Sequence, residues 1–89
     1  MPERYRVGLS RAAEQALDRL HEPDYERVEA AVDSLTDAPR RRGAEKVSGT
    51  PLYRIRVGSY RVVYEIDTKA GEVIVVRMAR RTERSYKRL

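Results

Sequence analysis

The sequence predicts an α+β domain in which two helices cover one face of a sheet. Three observations indicate this fold: an N-terminal segment that alternates apolar and polar residues, two amphipathic segments of helical period, and a strand-like period thereafter. The predicted order is one strand, a two-helix hairpin and a three-stranded antiparallel meander, with four strands in all and a possible short C-terminal helix. The length of 89 residues predicts a single domain over residues 1–89.

The first 38 residues contain the predicted first strand and both helices. Residues 5–9 alternate in the manner of a strand. Ser10 is a suitable N-cap for the first helix, and after a break at His21, Pro23 fits the first turn of the second. Pro39 is expected to end that helix. The predicted apolar faces are Ala13, Ala16, Leu17 and Leu20 in the first helix and Tyr25, Val28, Val32 and Leu35 in the second.

The pattern of the C-terminal half predicts three strands joined by two short connections. The strands are predicted at Leu52–Val57, Tyr60–Ile66 and Glu72–Ala79. Gly58-Ser59, with glycine first, suits a type II′ hairpin turn. The second connection, Asp67–Gly71, also contains a glycine. Together these elements predict a meander.

Charge is divided unevenly along the chain. Of the formal net charge of +5, residues 1–38 contribute −4 (five arginines, nine acidic residues) and residues 39–89 contribute +9. This asymmetry predicts that the C-terminal half contacts a polyanion. With no cysteine and one histidine, a disulfide framework, a thiolate site and a zinc site are excluded, and no metal or cofactor is expected. No long apolar run suggests a signal peptide or membrane span, so we expect a cytoplasmic protein without membrane contact.

The first hairpin determines which side chains share a face of the sheet. If Gly58-Ser59 forms a two-residue turn, Arg56 lies opposite Arg61. Alternation along the strand then puts Arg54 on the same face. The face toward the helices is expected to comprise Tyr53, Ile55, Val57, Tyr60, Val62 and Tyr64.

The second hairpin extends this face in the prediction. Pairing Ile66 with Glu72 would place Arg77 opposite Arg61, and Arg81 would follow if the strand runs that far. Ile74, Val76 and Met78 would then point toward the helices.

Such a row of arginines has two interpretations. It can be an ordinary solvated face, or it can bind an anion. Directly opposed like charges are destabilising, and only Glu65 lies nearby in compensation. The planar guanidinium fork also matches phosphate well. The pattern therefore favours an anion site.

Two segments resemble a known family. The stretch VSGTPLYRIRVGSYRVVYEI (Val47–Ile66) and the segment VRMARR (Val76–Arg81) followed by Tyr86 are similar to RelE-type toxins of the RelE/ParE toxin–antitoxin superfamily. The resemblance covers the whole chain and is most specific from Val47 to Tyr86.

The resemblance implies the toxin of a type II toxin–antitoxin module. Such toxins are ribosome-dependent endoribonucleases (mRNA interferases) that need no metal. They cut mRNA in the A site of the 30S subunit by attack of a ribose 2′-hydroxyl on the adjacent phosphate. A cognate RelB-like antitoxin holds the toxin inactive, and the complex is expected to bind operator DNA through the antitoxin.

The family's site residues map onto this chain with two departures. The spacing from Arg81 to Tyr86 varies within the family, which leaves Arg80 or Arg84 as alternatives for a share of that role. The family's best-studied sites have lysines where this chain has Arg54 and Arg56, and arginine serves poorly as a general base because it stays protonated. The residues therefore do not identify the general base, and water and ribosomal RNA are the candidates. The implied catalytic residues are Arg54, Arg56, Arg61, Arg81 and Tyr86, and the further expected RNA contacts are Arg77, Arg80, Arg84 and Lys46.

Two other functions compete with RNA cleavage. A ParE-like toxin shares the fold and inhibits DNA gyrase without cutting RNA, and a degenerate member would bind its antitoxin or RNA without catalysis. The run Arg40-Arg41-Arg42 is interpreted as a solvated loop, with contact to ribosomal RNA or to an acidic part of an antitoxin as the alternative.

Overall fold

A computed structural model describes residues 4–80 as two helices packed against one face of a mixed five-stranded sheet. The sheet order is β1-β5-β4-β3-β2, with β1 parallel to β5 and the other pairs antiparallel. This is the predicted α+β class, with one strand more than expected. The elements are β1 Arg6–Leu9, α1 Arg11–Asp18, α2 Asp24–Ser34, β2 Glu45–Lys46, β3 Leu52–Val57, β4 Tyr60–Asp67 and β5 Glu72–Arg80.

Ser10 begins α1 and also ties it to the sheet. Its Oγ accepts a hydrogen bond from the backbone N–H of Ala13 at 3.1 Å, which confirms the predicted N-cap. The same hydroxyl donates to the carbonyl of Val76 in β5 at 2.8 Å. The second helix starts directly after Pro23 but ends at Ser34, earlier than expected. It ends early because the next backbone N–H groups bond three residues back, in a tighter turn than an α-helix.

The core lies between the helices and the sheet, and Tyr64 is at its centre. The Tyr64 side chain is fully buried, and its hydroxyl donates to the carbonyl of Pro39 at 2.6 Å. Burial raises the pKa of Tyr64 to about 12. Its ring stacks on Tyr53 with centroids 5.9 Å apart. The buried core residues are Tyr5, Ala13, Leu17, Val28, Val32, Leu35, Ile55, Val62, Tyr64, Val73, Val75 and Met78.

The first hairpin has the predicted register. Val57 pairs with Tyr60, and Arg56 pairs with Arg61. Gly58 has φ +58°, whereas Ser59 does not have a positive φ, which is the combination of a type II′ turn. This turn fixes every pair of β3 with β4.

The second hairpin departs from the predicted register in its first half. Ile66 pairs with Val73 instead of Glu72, so Val73 points into the core and Ile74 is exposed. Ile74 and Val76 were therefore placed on the wrong face, and Val73 and Val75 occupy the core instead.

A β-bulge then restores the expected facing in the second half of β5. Val63 pairs with Arg77 but Tyr64 pairs with Val75, so β5 contains one extra residue at this point. The prediction for Met78, which is buried, is confirmed.

No helix within residues 4–80 is long and apolar enough to cross a membrane.

Candidate nucleic-acid interface

The sheet face turned away from the helices carries arginines from three adjacent strands. In one row, Arg56 of β3 lies opposite Arg61 of β4, and Arg61 lies opposite Ala79 of β5. The sequence predicted the first of these pairs, but Arg77 does not lie opposite Arg61, because the register at the start of β5 differs by one residue and the bulge adds a second shift. We call this surface the arginine face, and it consists of Arg54, Arg56, Arg61 and Arg77.

The neighbouring row supplies the other two arginines. Arg54 of β3 and Arg77 of β5 both lie opposite Val63 of β4, one from each side. Since neighbouring strands are about 4.8 Å apart, the two backbones are separated by about 10 Å with the valine between them. Arg77 thus belongs to the predicted face, but its neighbour is apolar and uncharged.

Among the four residues of the arginine face, Arg56 and Arg61 form the directly opposed pair of like charges. Because Val57 and Tyr60 flank a two-residue turn, they exchange hydrogen bonds, and the next pair out is a non-hydrogen-bonded pair. Opposed residues in such pairs have Cα atoms about 4.5 Å apart and side chains closer together than in the other kind of pair. Arg56 is exposed and Arg61 is half-buried.

Carboxylates border the arginine face on two sides. Glu45 of β2 pairs with Arg54, and its Oε1 lies 3.8 Å from the Arg54 Nε. That distance is too long for a hydrogen bond, so the contact tempers the charge without neutralising it. Glu65 follows Val63 on the same face, one row farther from the hairpin turn. The face keeps a positive surplus that an anion can bind.

Two of the predicted RNA contacts lie on the other side of the sheet. Arg80 pairs with Tyr60, and its guanidinium carbon lies 5.8 Å from the centroid of that ring. Lys46 pairs with Tyr53, so register puts it on the side of that tyrosine. Strand alternation separates both residues from the arginine face. The predictions for Arg81, Arg84 and Tyr86 fall outside the described residues.

Sequence reasoning missed an open groove at the edge of the sheet. The groove has a volume of about 470 Å³ and lies beside the loop that follows Pro39. The run of three arginines at 40–42 was the available signal, but it was interpreted as a solvated loop. The residues that line the groove are Arg41, Arg42, Gly43, Glu45, Ile55 and Arg56.

The chemistry available on the arginine face is the binding of anions. Guanidinium groups donate hydrogen bonds to phosphate oxygens and stabilise negative charge that develops on them. Over residues 4–80 no cluster of histidine, aspartate and glutamate is arranged to hold a metal ion. The nearest carboxylates to the arginines on this side, by strand pairing, are Glu45 and Glu65.

Comparison with known proteins identifies toxins of toxin–antitoxin systems both by sequence and by structure. Residues 7–84 match the model of a family described as ParE toxin of type II toxin–antitoxin system, parDE. The chain is also similar to a crystal structure of the archaeal RelE-RelB complex from Pyrococcus horikoshii OT3, with 30% identity and a TM-score of 0.79. The match covers 89% of this chain and 97% of that chain. No curated protein matches the chain by sequence.

More distant structures share the fold. The intact E. coli RelBE toxin–antitoxin complex matches with 22% identity and a TM-score of 0.77, covering 89% of this chain and 99% of that one. The chromosomal ParDE system from P. aeruginosa matches with 12% identity and a TM-score of 0.72, covering 91% and 100%. At these identities the likeness concerns the fold alone.

Proposed function

We propose that this chain, which belongs to the ParE toxin family of type II toxin–antitoxin systems within the RelE/ParE superfamily, is an endoribonuclease that cuts mRNA in the ribosomal A site. The observation that carries the proposal is the arginine face. Arg56 is held directly opposite Arg61, and Arg54 and Arg77 flank them in the next row.

The opposed pair supports a phosphate ligand because it places two guanidinium-bearing residues directly across two adjacent strands. Like charges directly opposite one another on paired strands are destabilising. A phosphate between the two guanidinium groups turns this repulsion into two sets of charge-assisted hydrogen bonds. Val63 separates Arg54 from Arg77, and Ala79 adjoins Arg61 on the β5 side, so neither position adds charge to the face.

The proposed reaction uses the RNA's own nucleophile. The ribose 2′-oxygen attacks the adjacent phosphorus, the bond to the 5′-oxygen of the next nucleotide breaks, and the products carry a 2′,3′-cyclic phosphate and a 5′-hydroxyl. Arg56 and Arg61 stabilise the charge on the phosphorane, and one such preorganised donor is worth roughly a hundredfold to a thousandfold in rate. Arg81 is proposed to assist the leaving 5′-oxygen, and Tyr86 to stack on a base.

Proton abstraction is assigned to a group outside this face. Arginine remains protonated at any ordinary pH and does not take the proton from the 2′-hydroxyl. We therefore expect the ribosome to supply the base or a positioned water, so that purified protein cuts naked RNA poorly. Efficient cleavage of naked RNA by the purified chain would contradict this part of the proposal.

An antitoxin is the proposed protein partner. The Pyrococcus horikoshii structure is a RelE-RelB complex, and the E. coli one is a RelBE toxin–antitoxin complex. We propose a RelB-like antitoxin encoded beside this chain, with operator DNA bound through that antitoxin. Acidic residues in the antitoxin would complement the positive surplus of the arginine face.

Inhibition of DNA gyrase is the second candidate, and the family match favours it. The matching model is described as a ParE toxin, and the P. aeruginosa ParDE system has the same fold. A catalytically inactive member that binds RNA or its antitoxin is the third, because arginines stand where the family's best-studied sites have lysines.

Inducible expression with mapping of mRNA 5′ ends tests these candidates. The unsubstituted chain is compared with Arg61→Ala and with Arg56→Ala, the latter at the more exposed residue of the pair. The control is Arg19→Ala, which removes one positive charge at the C-terminus of α1. We expect codon-phased cuts in the unsubstituted chain and in Arg19→Ala, and their loss in both substitutions on the arginine face. Growth arrest with intact mRNA and a DNA-damage response would favour gyrase inhibition. Absence of toxicity would favour the inactive member.

A further inference from the structure

A second group of arginines lies at the edge of the sheet, separate from the arginine face except for one shared residue. The groove at this edge is bounded by Arg41, Arg42 and Gly43 on one side and by β3 on the other. Its volume of about 470 Å³ is larger than a phosphate group and lies within the range of sites that hold small ligands. We call it the edge groove.

The backbone of β3 contributes to the edge groove. Strand β2 pairs with β3 only at Tyr53 and Arg54, so within the described chain no strand covers β3 beyond that point. Val57 exchanges its hydrogen bonds with Tyr60 across the turn, so the N–H and C=O of Arg56 point away from β4. Leu52 has the same orientation, since its carbonyl accepts from Val47 on the β2 side. The Arg56 N–H is thus directed toward the edge groove.

The arginines of the loop are held in place to different extents. The Arg41 guanidinium donates through Nη1 to the Ser34 Oγ at 3.1 Å, and its side chain is half-buried. That hydrogen bond holds the planar Arg41 guanidinium at the wall of the groove and uses one of its nitrogens, Nη1. Arg42 is exposed, and Gly43 follows with φ +92°, a conformation that a residue with a side chain rarely adopts. The loop therefore presents two positive charges around a position without a side chain.

Arg40 has a different role although it belongs to the same run. Its Nε lies 3.4 Å from the Tyr53 hydroxyl and its Nη2 lies 3.3 Å from the Thr68 Oγ1. The bond to Tyr53 raises the pKa of Arg40. Arg40 does not line the edge groove, so the three consecutive arginines divide between two surroundings.

We propose that the edge groove binds a phosphate of the RNA chain next to the one held on the arginine face. This rests on the function proposed for that face. Arg56 belongs to both surfaces. An RNA chain bound to the arginine face would therefore meet positive charge continuously as it passes over the edge of β3 into the groove. The lining carries three guanidinium groups against the single carboxylate of Glu45, which already faces Arg54 at 3.8 Å. This continuity favours RNA over an acidic peptide.

The test separates binding from cleavage. The probe is a single-stranded RNA octamer with 2′-O-methyl groups throughout, which lacks the nucleophile and stays intact. Fluorescence anisotropy measures its Kd over a series of salt concentrations for the unsubstituted chain, Arg42→Gln and Arg40→Gln. The last is the matched control, because it removes the same charge from the same loop outside the groove.

We expect Arg42→Gln to weaken binding several-fold at low salt. The slope of log K against log salt should shrink by about 0.7, the value for one phosphate contact to a single strand. Arg40→Gln should keep the full slope. Equal loss of slope in both variants would overturn the proposal, since it would reflect net charge alone. Absence of measurable binding by the unsubstituted chain would also overturn it.

Three further outcomes distinguish this site from the proposed function and from a protein ligand. An unchanged slope in Arg42→Gln, with cleavage still lost in Arg61→Ala, would overturn the edge groove and leave the ribonuclease standing. A reduced slope in a chain that cuts no mRNA would support the groove and overturn the ribonuclease. If Arg42→Gln instead weakens binding of a poly-glutamate peptide and leaves the RNA affinity unchanged, the groove is a protein site.

Discussion

Replacing Arg56 with glutamine is expected to stabilise the fold and to lower RNA cleavage. Arg56 and Arg61 form a directly opposed, non-hydrogen-bonded pair, and Arg56 is exposed. Two unit charges about 6 Å apart in water repel by about 0.7 kcal/mol, and like charges directly opposite one another on paired strands are destabilising. We therefore expect the free energy of unfolding to rise by about 0.5 kcal/mol at low ionic strength. Cleavage should fall by roughly a hundredfold or more.

Urea denaturation at two salt concentrations measures this gain. For an m-value of about 1–1.5 kcal/mol/M, the transition midpoint should move up by about 0.3–0.5 M urea. In 1 M NaCl, where the screening length is about 3 Å, the gain should disappear. The matched control is Arg19→Gln at the C-terminus of α1, where a positive charge is favourable, so this variant should be unchanged or slightly less stable. A loss of stability in Arg56→Gln at low salt, or a gain that persists in 1 M NaCl, would refute the reasoning.

Three other substitutions test separate parts of the structure. Ser10→Ala removes the cap of α1 and the bond to Val76, so thermal unfolding should show a loss of about 1.5–2.5 kcal/mol; a change within error would contradict the double role. Tyr64→Phe loses the bond to Pro39, at about 1 kcal/mol near neutral pH. Because burial raises the pKa of Tyr64 to about 12, its contribution is complete below pH 10 and is lost as pH rises through 12, so urea titrations of Tyr64→Phe should lose less stability over that window. Arg80→Gln should retain cleavage in the 5′-end assay, since Arg80 lies on the helix side against Tyr60; loss of activity would contradict that placement.

The first hairpin was predictable because its turn is defined by two residues. Gly58 accepts the positive φ of a type II′ turn, and a two-residue turn leaves one possible register for the strands on either side. The opposition of Arg56 and Arg61, and the facing of Tyr64, follow from that register. The face of the sheet on which these arginines lie could therefore be predicted from the sequence.

The second hairpin was less predictable because β5 has four consecutive apolar residues, 73–76, directly after Glu72. Alternation does not choose a face for such a run, so the register was misjudged by one residue. The bulge then added one residue, and the two shifts together returned Arg77 to the expected side. Its neighbour changed as a result, from Arg61 to Val63.

Two features could not be placed from the sequence, although the three arginines at 40–42 marked the loop beside one of them. The strand Glu45–Lys46 is too short to show a period, and its pairing depends on the turn that precedes β3. The edge groove depends on where the loop after Pro39 packs, which is fixed by bonds such as Arg41 to Ser34 and Arg40 to Tyr53. Contacts between residues far apart along the chain determine both.

Programmed ribosomes carrying two mRNAs test the central claim most directly. The two mRNAs are identical except that one has 2′-deoxy sugars in the A-site codon, which removes the nucleophile and leaves the phosphates for the arginine face to bind. The purified chain should cut the unmodified mRNA to fragments with a 2′,3′-cyclic phosphate and a 5′-hydroxyl, and should leave the deoxy mRNA intact. Equal cleavage of both mRNAs, or intact mRNA in both reactions together with loss of gyrase supercoiling activity, would contradict it.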